Sequence, residues 1–83
     1  MMSLGEVLGN PAIQDSEWDL GLYSGRKIVA NKKKLKTSSL FYAYREMANQ
    51  IVAAAVAGNS CGEQYLICEH IANEILKRLG KEE

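Results

Sequence analysis

Residues 58–62, Gly-Asn-Ser-Cys-Gly, fit the G-x-S-x-G pattern of serine hydrolases. That chemistry needs the serine on a sharp turn between a strand and a helix. Here an alanine-rich segment of helical spacing precedes Ser60, and the chain is too short to hold a hydrolase sheet, so Ser60 is assigned to helix capping. Cys61 follows in the first turn of the next helix, where the dipole lowers a thiol pKa. The single histidine, His70, lies about 13 Å further along a straight helix and on its opposite side, which excludes a Cys–His dyad within the chain. Cys61, Cys68 and His70 lack the close cysteine pairs of a structural zinc site. His70 with Glu74 supplies only two ligands. Gly21, Gly25 and Gly58 have neither the spacing nor the lysine of a phosphate loop. These residues point to a non-enzyme with no cofactor and no metal.

The chemistry that remains is cationic. Arg26, Lys27, Lys32, Lys33, Lys34 and Lys36 place six cations in eleven residues, and Arg45 follows. The block leads into Thr37, Ser38 and Ser39, all favoured at helix N-caps. Fixed positive charges and the unpaired N–H groups of a helix start both attract phosphate. Tyr42, turned away from the apolar face of that helix, is placed to stack on a base. The expected site for an anion or nucleic acid therefore spans residues 26–45: Arg26, Lys27, Lys32, Lys33, Lys34, Lys36, Tyr42 and Arg45. Two other readings compete with it. The lysines form a solvated loop, or Asp15, Glu17 and Asp19 neutralise them within the molecule. The sequence pI of about 6.6 is also low for a nucleic-acid binder.

Composition sets the scale on which such a site is built. The chain has 83 residues, 47% hydrophobic and 24% charged, with ten basic and ten acidic side chains. These values exclude a disordered tail, a collagen-like repeat, a disulfide-framework miniprotein and any two-domain enzyme. Zero net charge conceals three blocks. Residues 1–25 carry Glu6, Asp15, Glu17 and Asp19 and no base; residues 26–45 carry seven bases and no acid; residues 46–83 are again net acidic. A domain this small buries only about 60% of its unfolded surface, and self-association is the expected further source of stability.

Five segments are expected. Residues 1–17 form an arm with short helical turns, opened by the capping-box spacing of Ser3 and Glu6. Residues 18–31 alternate apolar with small or polar side chains around Ser24-Gly25, which reads as a β-hairpin. Residues 32–37 form a basic linker. Residues 38–57 and 60–79 are helices, divided by Gly58-Asn59. The expected inner face of the first is Leu40, Phe41, Tyr44, Met47, Ala48, Ile51, Val52 and Ala55. That of the second is Cys61, Tyr65, Cys68, Ala72, Ile75, Leu76 and Leu79, with Glu63, His70, Glu74 and Lys77 outside. Helices of matched length joined by a tight loop make an antiparallel hairpin. Val56, Leu66 and Ile67 fall on the polar sides near its tip and form the expected protein interface.

The expected fold class is thus α+β, mostly α: an N-terminal arm and short β-hairpin packed on a long antiparallel helical hairpin, in an oligomeric assembly. A strand followed by two helices resembles the ribbon-helix-helix repressors, although the seven residues between Ala30 and the first helix depart from that pattern. Cys61 and Cys68 lie roughly 10 Å apart along one helix, too far for a bridge. Free thiols point to the cytoplasm, and no signal peptide or membrane span is evident. The expected function is a small binding module for nucleic acid or another phosphate-bearing ligand. The alternative is a protein-interaction module, an adaptor or small inhibitor of a larger assembly, using the helical hairpin and charge blocks.

Overall fold

A computed structural model describes residues 1–80. Its helices are α1 (Leu4–Leu8), α2 (Leu22–Ala30), α3 (Thr37–Ala57) and α4 (Gly62–Gly80), with a single 3₁₀ turn at Asp15–Glu17. Among the described residues there is no strand, only an isolated parallel bridge between Met2 and Leu35. No described helix is long and apolar enough to cross a membrane.

The expected β-hairpin over 18–31 is therefore corrected: residues 22–30 are helical. Leu22, Gly25, Ile28 and Val29 recur at helical spacing, and Ile28 is fully buried. Gly25 is no turn residue. A Cβ there would sit 2.8 Å from Ile67 Cδ1 and 3.3 Å from Met47 Cε, so the bare backbone lets α2 settle onto α3 and α4. The alternation over Trp18–Tyr23 is too short to fix a period, and tertiary packing overrides the β-propensity of Ile28-Val29. Without that strand the likeness to the ribbon-helix-helix repressors disappears, and the fold is all-helical rather than α+β.

The N-terminal arm folds by local rules and is then pinned to α3. Ser3 and Glu6 form a capping box around α1, and Gly9 ends the helix at a φ of 96°. Asp15 accepts the Leu4 N–H at 3.0 Å through Oδ1 and the Ser39 hydroxyl through Oδ2. Tyr42 donates its hydroxyl to the Ser16 carbonyl at 3.1 Å. The Gln50 amide donates to the Leu20 carbonyl.

Helices α3 and α4 pack antiparallel, turned by Gly58 at a φ of 76° with the Asn59 N–H on the Ala54 carbonyl. The core lies between this pair and the N-terminal half: Leu4, Leu20, Ile28 and Leu35 against Leu40, Ala43, Met47, Ile67, Ile71 and Ile75. Both long helices are rotated from the expected orientation. Ser39 and Ala43 join the buried side of α3, whereas Phe41, Tyr44 and Val52 are exposed. On α4 the buried residues include Ile67, Ile71 and Glu74, whereas Tyr65, Leu76 and Leu79 are exposed. The hairpin thus has one face closed by the chain's own N-terminal half and another left open. The molecule is a slab 38 × 34 × 18 Å, two helical layers thick.

Candidate functional site at the base of the hairpin

The residues linking α2 to α3 run Asn31-Lys-Lys-Lys-Leu-Lys36. Their backbone is held at three points. Leu35 is fully buried in the core. Met2 bridges the segment on both sides, its N–H on the Lys34 carbonyl and its carbonyl on the Lys36 N–H, each at 2.8 Å. From α4, Arg78 donates to the Lys32 carbonyl at 2.9 Å, the Lys33 carbonyl at 3.4 Å and Thr37 Oγ1 at 3.0 Å. The same guanidinium meets Glu74 at 3.0 Å, and both side chains are largely buried. A planar fork with five donors suits this divergent set of acceptors.

With the backbone fixed inward, the lysine side chains turn out. Lys33, Lys34 and Lys36 are exposed and Lys32 is half-buried. None of the four makes an ion pair among the described residues. Two of the three acids that the competing reading set against them are engaged elsewhere. Asp15 holds Leu4 and Ser39, and Glu17 accepts the N–H of Gln14. An open cleft of about 620 Å³ lies beside the segment, lined by Met1, Lys33, Thr37, Lys77, Arg78, Gly80 and Glu74, whose carboxylate is taken up by Arg78. Helix α3 begins at its rim. Its N-cap, Lys36, makes no side-chain cap. Thr37 receives Arg78 and Ser39 binds Asp15, so neither hydroxyl serves the expected capping role.

The remaining cations of the expected site lie apart from this cluster. Arg26 forms a bidentate pair with Glu63, its Nη2 at 2.8 Å. That contact raises the Arg26 pKa and holds the Glu63 carboxyl below its ordinary range. It also commits the Glu63 carboxylate to α2, and α4 starts at Gly62 with the Cys61 carbonyl accepting from Tyr65 at 3.0 Å. Lys27 lies over the Tyr23 ring at 5.1 Å. Arg45 lies over Tyr42 at 5.7 Å. Tyr42, half-buried with its hydroxyl on Ser16, is an anchor of the arm; burial pushes its pKa up.

Of the expected interface trio, Val56 is 86% and Leu66 57% exposed, but Ile67 is only 4% exposed beneath Gly25. Ile67 is thus a core residue, and α2 is what covers it. Cys61 and Cys68 are both free; burial raises the Cys68 thiol pKa. Among the described residues no three His, Cys, Asp or Glu side chains converge as metal ligands do.

Lys77, Arg78 and Thr37 were absent from the expected site. The antiparallel hairpin brings the last turn of α4 beside the first turn of α3, which makes two cationic segments distant in sequence into one surface. Matched helix lengths carry that signal. Comparison with known proteins adds no identity: no family model matches the chain, and no curated protein or solved structure is significantly similar to it.

Proposed function

We propose that the chain is a non-enzymatic binding module that takes a phosphate-bearing ligand, nucleic acid included, at the base of its helical hairpin. The observation that carries this reading is the pinned loop. Leu35, Met2 and Arg78 fix the backbone of residues 32–36, while Lys33, Lys34 and Lys36 stand in solvent without acidic partners among the described residues. A merely solvating loop needs no such anchoring, whereas a binding site gains from charges held on a rigid support. Lys77 enters from α4 across the cleft, and the uncapped start of α3 adds N–H donors on the same side. The site is built for charge rather than for base identity, with Tyr42 engaged elsewhere.

Fluorescence anisotropy with a labelled DNA duplex, a single-stranded RNA and a labelled nucleoside triphosphate tests the reading. Duplex affinity should fall with added salt at a log–log slope of about −3 to −4, as four phosphate contacts imply. The quadruple variant Lys33→Ala, Lys34→Ala, Lys36→Ala, Lys77→Ala should lose binding and keep its helical circular dichroism. Equal binding by that variant, or no binding of any probe at low salt, overturns the proposal.

A further inference from the structure

The open face of the α3–α4 hairpin is separate from the basic base and carries its own inference. Phe41, Tyr44 and Val52 on α3, with Tyr65 and Leu76 on α4, are between 41% and 63% exposed. A groove of about 450 Å³ runs between the helices along this face, with Ala48 and Ala72 in its walls. A shallower apolar hollow between Phe41 and Leu76 continues it toward the base. Each long helix therefore has a second apolar sector beside the one its own core covers. A surface of this size on a small chain marks an interface.

We propose that a second copy of this chain docks on this face, around a twofold axis parallel to the helices, to close a four-helix layer pair. Three observations select a second copy as occupant.

The first is area. Two helices of about 30 Å, set some 10 Å apart, present on the order of 600 Å² in projection, and more once corrugation is counted. That approaches the ~800 Å² per partner of a stable interface.

The second is shape. Small Ala48 and Ala72 occupy the middle, and bulky side chains stand at both ends: Phe41 with Leu76, Val52 with Tyr65. The twofold lays α3 on the partner's α4, so each aromatic meets an aliphatic side chain while the alanines let the helices approach.

The third is charge. Glu69 lines the α4 side of the groove. Arg45, whose exposed guanidinium lies over the Tyr42 ring in the single chain, follows Tyr44 on the outer flank of α3 at 100° per residue. The Cys68 thiol faces the Tyr44 carbonyl at 3.9 Å, which puts Arg45 and Glu69 at the same level along the hairpin. Opposite charges at one level on opposite flanks are what this twofold pairs, twice over, in an isologous contact.

Sedimentation equilibrium on the full chain tests the proposal. The expected mass is twice 9.2 kDa. Tyr44→Glu and Leu76→Glu, both at exposed positions, should each give a monomer of unchanged helicity. Arg45→Glu and Glu69→Arg should each weaken the dimer about tenfold, since one reversal sets like charges together at two places, and the double exchange should restore it. This surface exchange leaves the core untouched, so the test stands even if an apolar-face variant misfolds. The proposal is overturned by a wild-type chain that stays monomeric at about 100 μM, well above a micromolar Kd. A dimer indifferent to Tyr44→Glu and Leu76→Glu, or a double exchange no tighter than either single variant, also overturns it.

Discussion

The two ends of the α3–α4 hairpin are held in different ways. At the tip the chain reverses through backbone geometry alone: Gly58 takes a left-handed conformation between Ala57 and Asn59, and the nearby Arg26–Glu63 pair is exposed. At the base a longer segment is tied down by a buried guanidinium, a core leucine and a two-sided backbone bridge. A turn needs only the first kind of construction. The second kind organises a surface, and that surface carries the lysines that make no ion pair among the described residues.

The sharpest way to break this contrast is to remove Arg78. Arg78→Ala leaves Glu74 buried without its partner and releases the Lys32 and Lys33 carbonyls and Thr37. A loss of about 3 kcal/mol is expected in urea unfolding, with Arg78→Lys recovering only part of it because an ammonium lacks the fork. An Arg78→Ala variant as stable as the wild type would show that the base is no more constrained than the tip.

A smaller effect belongs to the tip turn. Gly58→Ala places a side chain at a φ of 76° and should cost about 1 kcal/mol, read as a lower unfolding midpoint at unchanged slope.

The smallest effect is at the Arg26–Glu63 pair. Both side chains are well exposed, so Arg26→Ala should leave the unfolding midpoint within error. The pair is visible by titration instead. The Glu63 carboxyl is held below its ordinary range by hydrogen bonding to Arg26, so its favourable contribution is present above the unfolded-state pKa and lost as pH falls through the lower folded value. An NMR titration should show Glu63 returning toward the ordinary range in Arg26→Ala.

Much of the hairpin was legible in the sequence, because Gly58 is punctuation that acts locally, as Ser3 is for α1. Its rotation was not. On both long helices the apolar residues span two adjacent sectors, and a single stripe drawn through them, from Phe41 to Ala55 or from Tyr65 to Leu79, falls nearer the open face than the buried one. Helix α2 was missed because Gly25 serves a long-range contact with Ile67, while locally it resembles a turn. Four of the expected site cations, Lys32, Lys33, Lys34 and Lys36, do share one loop. Arg26 left the cluster because Glu63 reaches it from another helix. Lys77 and Arg78 joined it through the antiparallel register, and pairings that depend on which helix faces which are not written in local spacing.

The most direct test of the central claim compares the two ends in one experiment. Pyrophosphate titrated into ¹⁵N-labelled protein should shift amide resonances at residues 32–40 and 77–80, leave residues 56–62 unmoved, and lose its effect as salt is added. Shifts centred on the tip, or none at the base, would contradict the claim.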